Sequence, residues 1–206
     1  MKVLLVNGSS HRNGCTFTAL EEISIALNKE GIKTEIFQLG NPEIRDCSGC
    51  GACRKLGKCV YDDVVNTFVE KAKDFDGFIF GTPVYYAHPS GRILSFLDRA
   101  FYSGSKAFAY KPAAAIASAR RSGTTASFDV LNKYFTINNM PIISSNYWNN
   151  IHGHVAEEAR RDIEGLQTMR NLGRNMAWIL KCIETAKKAG ITTPEPEEKI
   201  MTNFIR

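Results

Sequence analysis

The sequence predicts an α/β fold, a doubly wound five-stranded parallel sheet with helices on both faces. Short apolar runs alternate about five times with segments of helical spacing, and this alternation is typical of parallel sheets covered by helices. No internal repeat or low-complexity tract interrupts the pattern. The length of 206 residues favours one domain, predicted at residues 1–188 with a cysteine-rich loop at 46–60 and a C-terminal tail at 189–206.

Each element follows from a local pattern. Strands are predicted where apolar residues run together or alternate, and helices where they recur every three to four residues. Gly31 ends the first helix, because glycine favours helix ends. The predicted strands cover residues 2–6, 33–39, 77–82, 113–118 and 141–145. The predicted helices cover residues 15–30, 62–73, 90–102, about 122–138, and 156–188 as one helix or two, with a loop at 146–155 and an extended tail segment at 192–199.

Composition excludes several classes of protein. The chain is 44% hydrophobic and 23% charged with a formal net charge of +5, as expected for a globular domain. Its lysines and arginines are scattered rather than gathered into a stripe, so no nucleic-acid partner is expected. The first residues carry no signal-peptide pattern, and no apolar run reaches membrane-spanning length, so a cytoplasmic protein without a membrane partner is expected.

The loop at residues 7–16 joins the first strand to the first helix. Doubly wound sheets bind ligands at the carboxyl ends of their strands, and a helix N-terminus attracts phosphate. The loop lacks the Walker lysine and the dinucleotide fingerprint, so a terminal monophosphate is the expected ligand. An ordinary helix cap with a glycine-rich turn is the alternative. The polar side chains available are Ser9, Ser10, Arg12, Asn13 and Thr16.

The loop at residues 81–91 follows the third strand. Tyr85 and Tyr86 offer flat surfaces for a planar ring, although they could instead serve only for packing. Ser90 can cap the next helix. His88 could donate a proton, but it could equally be a solvent-facing bystander.

The loop at residues 117–125 follows the fourth strand. Arg120 and Arg121 could approach a ring carbonyl or an anionic cosubstrate. The alternative is that both arginines are solvated and that Ser122 serves only as a helix cap.

Four cysteines lie within thirteen residues, at Cys47, Cys50, Cys53 and Cys59. Compact C-x2-C-x2-C runs with a fourth cysteine can hold a 4Fe-4S cluster. Three alternatives stay open: a zinc site, a redox-active dithiol formed by Cys50 with Cys47 or Cys53, or a loop of unligated thiols. Cys182 falls among apolar residues of the last predicted helix and is expected to be a small core residue.

Three stretches carry a family resemblance: "VNGSSHRNGCT", "GTPVYYAHPSGRILSFLDR" and "ASARRSGT". They resemble the FMN-contacting loops of the NADPH-dependent FMN reductase family, which has a flavodoxin-like fold. The cysteine spacing is similar to that of its iron–sulfur flavoprotein subgroup. The resemblance implies FMN as cofactor and a homodimer or homotetramer, with the 46–60 loop and the C-terminal helix as contacts.

The resemblance also implies a set of cofactor-binding residues. Cys15 stands where an asparagine is often found before the threonine, among the residues around the FMN phosphate. The implied set is Ser9, Ser10, Arg12, Asn13, Cys15 and Thr16 near the phosphate, Pro83, Val84, Tyr85 and Tyr86 along the isoalloxazine, and Ser118, Arg120, Arg121 and Gly123 on the far side. Ser90 also belongs to the implied cofactor-binding set.

These observations lead to an expected function. The leading hypothesis is an FMN-dependent oxidoreductase that takes hydride from NAD(P)H and passes electrons to a small acceptor, such as a quinone, an azo or nitro compound, or flavin. No side chain is obligatory for catalysis, since the cofactor carries the chemistry, and Tyr86 and His88 are the candidates for a contribution. The alternatives are an electron carrier between redox protein partners and a phosphate-binding module without redox chemistry.

Overall fold

The computed structural model describes residues 1–195, 197–198 and 200–202. The strands are β1 (Lys2–Asn7), β2 (Lys33–Gln38), β3 (Gly77–Tyr85), β4 (His88–Pro89), β5 (Ala113–Ala119) and β6 (Asn150–His152). The parallel sheet has the strand order β2-β1-β3-β5-β6, and the short strand β4 pairs antiparallel with the end of β3. The predicted α/β class and parallel sheet are therefore confirmed, with six strands rather than five.

Helices cover both faces of the sheet. The helices are α1 (Cys15–Lys29), α2 (Cys53–Leu56), α3 (Val64–Ala72), α4 (Gly91–Gly104), α5 (Thr124–Thr136), α6 (Ala156–Ala159) and α7 (Ile163–Lys188). Helices α1 and α7 share one apolar cluster with β1, whereas α3, α4 and α5 pack on the opposite face. Strand β3 contributes to both clusters, because Phe78 and Phe80 point to one face of the sheet and Ile79 to the other.

Parallel pairing brings the carboxyl ends of the strands to one edge. Asn7 at the end of β1 pairs with Gln38 of β2 and with Gly81 of β3. Ala119 at the end of β5 pairs with His152 of β6. The loops after β1, β3, β5 and β6 therefore leave the sheet on the same side, as expected for the ligand-binding edge of this architecture.

The strand predicted at residues 141–145 is wrong. Ile142 makes only an isolated bridge with Ala113, and the chain then leaves the sheet edge. The strand beside β5 is β6, which lies inside the segment predicted as a loop. Asn149 explains the return to the sheet, because its carbonyl accepts from the Ala117 N–H at 3.0 Å and its side chain donates to the Ala115 carbonyl at 3.1 Å.

The C-terminal helical segment forms two helices, one of the two forms predicted. Asp162 starts α7 by accepting a hydrogen bond from the Gly165 N–H at 2.9 Å. The prediction of a buried Cys182 is wrong: this residue is exposed, because the inward face of α7 is set by Met169, Met176 and Leu180. No helix in the described part of the chain is long and apolar enough to cross a membrane.

The predicted tail at 189–206 is described in part. Residues 191–195 form no helix or strand. Residues 196, 199 and 203–206 of the tail lie outside the described residues, so the extended segment predicted at 192–199 is only partly within them.

Candidate functional site

Hydrogen bonds tie the loop after β1 to the loop after β3. The Gly8 N–H donates to the Gly81 carbonyl at 2.8 Å, and the Ser90 hydroxyl donates to the Gly8 carbonyl at 3.0 Å. Farther out, the Ser10 hydroxyl lies 3.2 Å from the Tyr85 hydroxyl. Two of the loops singled out in the sequence therefore form one surface.

The loop after β5 completes this surface. The hydroxyls of Thr16 and Ser118 share a buried hydrogen bond of 2.8 Å, which joins the start of α1 to the end of β5. Gly123 has φ +87°, and a Cβ there would lie 2.8 Å from Cγ1 of Val84. The three loops are thus in direct contact with one another, and Thr16 and Ser118 connect them.

The start of α1 is suited to an anion. No side chain caps this helix end, and its first turn has no acidic residue, so its free N–H groups and dipole are available to a phosphate. The Ser9 hydroxyl accepts from the His11 N–H at 3.0 Å and shapes the loop. Arg12 and Asn13 are exposed at the tip. These residues fit the phosphate end of FMN.

Cys15 faces the loop after β6. Its thiol donates to the Gly153 carbonyl at 3.3 Å, and burial raises the pKa of Cys15. The thiol therefore stays protonated and fastens α1 to the loop that follows His152. Sequence reasoning missed this fourth loop, because β6 is short and polar and the segment read as a connection.

The hairpin between β3 and β4 carries an unusual tyrosine. Tyr86 has φ +60° and is fully exposed. The Ala87 N–H donates to the Tyr85 carbonyl at 2.8 Å and closes a tight turn around Tyr86. A bulky residue in this conformation costs about 1–3 kcal/mol and is typical of functional sites.

The other predicted residues of these loops fall into two groups. Ser90 caps α4 by accepting from the Ile93 N–H at 3.3 Å, as predicted. Ser122 does not cap α5, which begins at Thr124 after Gly123, because the left-handed glycine turns the chain into the helix. The side chains left exposed at the rim are those of Tyr85, Tyr86, His88, Arg120 and Arg121, whereas Pro83 is buried and Val84 is partly buried.

Replacing Tyr86 by glycine is expected to leave the free energy of unfolding within about 1 kcal/mol of the wild-type value, because relief of the strained φ offsets the added chain entropy. FMN binding is expected to weaken, since the aromatic ring of Tyr86 would be missing from the rim of the site. Urea unfolding and FMN titration measure the two effects. Tyr110→Gly is the matched control, because Tyr110 has φ +63° and precedes β5 at the opposite edge. Equal loss of FMN affinity in both variants would contradict the expectation.

The four clustered cysteines line one pocket of about 130 Å³. This volume is too small for a flavin, since small-molecule sites usually measure roughly 300–1,000 Å³. All four thiols are free. Gly49, Gly51 and Gly57 adopt positive φ values of 65°, 69° and 68°, and these left-handed turns wind the loop around the pocket.

The pocket fits an iron–sulfur cluster in its donor set. Four thiols on a compact loop are the ligands that such a cluster needs. In the described residues, no three histidine, cysteine, aspartate or glutamate side chains stand close enough together to hold a metal ion. The loop would supply the ligands and the enclosure for a cluster, and its sulfurs would have to draw together to hold one.

Sequence reasoning missed one residue of this pocket, Arg99. It lies on α4, is 1% exposed, and its Nε donates to Sγ of Cys59 at 3.2 Å. The available signal was an arginine next to Ala100 and Phe101 on a helix with a strong apolar face. Such a position requires a buried partner for the charge.

The strand order and the loop site define a flavodoxin-like protein. When the antiparallel β4 is left out and the five parallel strands are numbered among themselves in chain order, their order in the sheet is 2-1-3-4-5, which is the order of that architecture. A flavodoxin from the domain Archaea matches with a TM-score of 0.59 at 16% identity, covering 88% of this chain and 99% of that chain. RosB with the bound intermediate 8-demethyl-8-formylriboflavin-5'-phosphate matches with a TM-score of 0.70 at 14% identity, covering 99% of this chain and 92% of that chain.

Sequence comparison gives the family. The model of the NADPH-dependent FMN reductase family matches residues 1–155, and the chain belongs to this family. An iron–sulfur flavoprotein of Methanocaldococcus jannaschii is 31% identical, with 89% of this chain and 100% of that protein covered. The resemblance drawn from the sequence motifs is therefore confirmed, and the chain is grouped with FMN-dependent oxidoreductases.

Proposed function

We propose that the protein is an FMN-dependent oxidoreductase that takes hydride from NAD(P)H and passes electrons to a small acceptor, such as a quinone, an azo or nitro compound, or flavin. The observation that carries this proposal is the direct contact of three loops at the carboxyl edge of the sheet. Membership of the FMN reductase family supports it.

The site residues would divide the binding of FMN among the loops. The uncapped start of α1, with Ser9, Ser10 and Arg12 beside it, would take the phosphate. The segment from Pro83 to Tyr86 would lie along the ring, and Ser118 to Gly123 would border its other side. When bound, FMN supplies the electron chemistry, while the protein binds, orients and shields it.

The rim of the site suits an anionic cosubstrate. Arg12, Arg120 and Arg121 are exposed on the loops that meet there, and positive charge around a cleft raises the local concentration of anions such as a dinucleotide. The Tyr85 hydroxyl lies 3.4 Å from Nδ1 of His11 and 3.2 Å from the Ser10 hydroxyl. This group of hydroxyls and imidazole could hold a proton at the edge of the ring.

A second candidate function is that of an iron–sulfur flavoprotein that carries electrons between protein partners. The cysteine pocket favours it, because Cys47, Cys50, Cys53 and Cys59 all line one small cavity. Helix α4 links that cavity to the loop site: Ser90 caps it at the loop site, and Tyr102 lines the cysteine pocket. Twelve residues of helix separate the two positions by about 18 Å.

We also propose a homodimer or homotetramer, with the cysteine loop and the C-terminal helix as contacts. Leu56 and Val60 on that loop and Trp178 on α7 are large exposed apolar side chains, which fits surfaces that become covered. Light scattering of the intact protein tests this proposal, and a monomer at micromolar concentration would contradict it.

The main test is a spectrum of protein purified without oxygen, with flavin, iron and sulfide assayed on the same sample. Flavin bands that bleach with NADH or NADPH, and return when a quinone is added, are expected for the reductase. About four irons per chain without rapid bleaching by either nucleotide would favour the electron carrier. A protein that cannot bind FMN would overturn both functions.

A further inference from the structure

Arg99 is a fully buried cation in the wall of the cysteine pocket. Its side chain is among the largest that are completely buried, and it is carried by α4 at the margin of the aromatic cluster. Arginine is rarely buried unless its charge and donors are satisfied. The groups that accept hydrogen bonds from Arg99 therefore indicate the role of this buried charge.

All of its hydrogen-bond donors are matched. A guanidinium group offers five N–H donors. The Asp63 carboxylate accepts two, at 2.6 and 2.9 Å. The carbonyls of Arg45 and Tyr61 accept one each, at 3.3 and 3.1 Å, and Sγ of Cys59 accepts the one from Nε at 3.2 Å. Every acceptor lies within residues 45–63, the segment that contains the four cysteines.

Cys59 is also fixed from a second direction. Asn66 on α3 accepts from the Cys59 N–H at 3.0 Å and donates to the Cys59 carbonyl at 3.0 Å. Both the backbone and the sulfur of Cys59 are therefore held in place. Cys50, by contrast, is exposed on the part of the loop wound by left-handed glycines. The Cys53 thiol donates to the Tyr102 carbonyl at 3.7 Å, whereas Cys59 is held through both its sulfur and its backbone.

We propose that Arg99 is the positioning residue of the cysteine pocket: it joins both ends of the cysteine segment to α4 and donates a hydrogen bond to the Cys59 sulfur. This inference rests on the proposed cluster. Hydrogen bonds to the ligand sulfurs stabilise the more negative, reduced state of a cluster and so raise its reduction potential. Lysine cannot replace the fork, because it lacks Nε and the planar pair of donors.

The test compares Arg99→Lys with Arg92→Lys. Arg92 is the matched control, because it lies on the same helix and donates to the backbone carbonyls of Asn41 and Pro42, outside the cysteine segment. Arg99→Lys is expected to bind at most half the iron of the wild type after chelator treatment, with a more negative reduction potential in the fraction that remains. Arg92→Lys is expected to match the wild type in both measurements.

A second variant guards against simple loss of fold. Arg99→Met combined with Asp63→Asn removes the ion pair as a unit, which avoids leaving an unpaired buried charge, and asparagine can still cap α3. This variant is expected to keep the far-ultraviolet circular dichroism of the wild type and to show the same loss of iron and the same direction of potential shift. A potential equal to that of the wild type in both Arg99 variants would overturn the proposal.

Iron-free protein tests the positioning role of Arg99 separately from the presence of a cluster. Amide hydrogen exchange of residues 45–63 in the iron-free protein is expected to be at least tenfold faster in Arg99→Lys than in Arg92→Lys. If the wild type binds no iron, the proposed cluster is overturned. If, in addition, residues 45–63 exchange equally fast in iron-free Arg99→Lys and Arg92→Lys, the positioning role is overturned as well. If the wild type binds iron but the two variants do not differ in iron content, reduction potential or exchange, the positioning role alone is overturned.

Discussion

Replacement of Cys50 by serine is expected to lower bound iron from about four to fewer than about one per chain. A 4Fe-4S cluster needs four thiolates, and a serine hydroxyl is a poor substitute for one of them. Cys50 is exposed, so the change is expected to alter the stability of the metal-free fold by no more than about 0.5 kcal/mol. Iron and sulfide analysis with low-temperature electron paramagnetic resonance measures the loss.

Cys182→Ser is the matched control for that experiment. Cys182 is also an exposed free thiol, but it lies on α7, outside the pocket formed by the clustered cysteines. Its replacement is expected to leave bound iron unchanged. Equal iron in the Cys50 and Cys182 variants would show that the pocket does not bind the cluster.

The second large effect is expected from Gly8→Ala. A Cβ at Gly8 would lie 2.7 Å from the Gly81 carbonyl oxygen and 2.9 Å from Cδ1 of Ile93. The backbone oxygen cannot move aside cheaply, so the loop after β1 has to separate from β3. Overpacking of this kind costs about 1–3 kcal/mol of stability, and at least a tenfold weakening of FMN binding is expected, equivalent to about 1.4 kcal/mol.

Urea unfolding of the FMN-free protein and fluorescence titration with FMN measure the two losses. Gly91→Ala provides the control, because a Cβ there meets nothing within 4 Å and Gly91 is the first residue of α4. This variant is expected to be at least as stable as the wild type, since alanine is the better helix former. Wild-type FMN affinity in Gly8→Ala would mean that the close approach of the two loops is not needed for the site.

The sequence predicted those parts of the fold whose side chains repeat a pattern. Strands β1 and β3 were readable because both of their faces are buried, which gives continuous apolar runs. Strand β6 was not readable, since it is three residues long and is brought to the sheet by the polar contacts of Asn149. The apolar run at 141–145 looked like the better strand, yet it makes only one bridge.

The candidate site likewise contains features that a local sequence pattern predicts and features that it does not. Glycine-rich loops and clustered cysteines are local signals. The loops after β1, β3 and β5 meet because parallel pairing brings the carboxyl ends of these strands to one edge of the sheet. Arg99 depends on partners between 36 and 54 positions away along the chain, so no local pattern could reveal its role. Cys182 shows the converse, because a single thiol among apolar residues does not say which side of a helix it occupies.

Helix α4 belongs to both candidate sites, with Ser90 at its start and Arg99 in its middle. Two ligands that each restrain the same rigid body influence each other's affinity, and such coupling is reciprocal. Occupancy of the cysteine pocket would then raise the affinity for flavin, and bound flavin would raise the affinity of the pocket for its metal centre by the same factor. Maturation of the two centres would accordingly be cooperative, and a preparation deficient in one would tend to be deficient in the other.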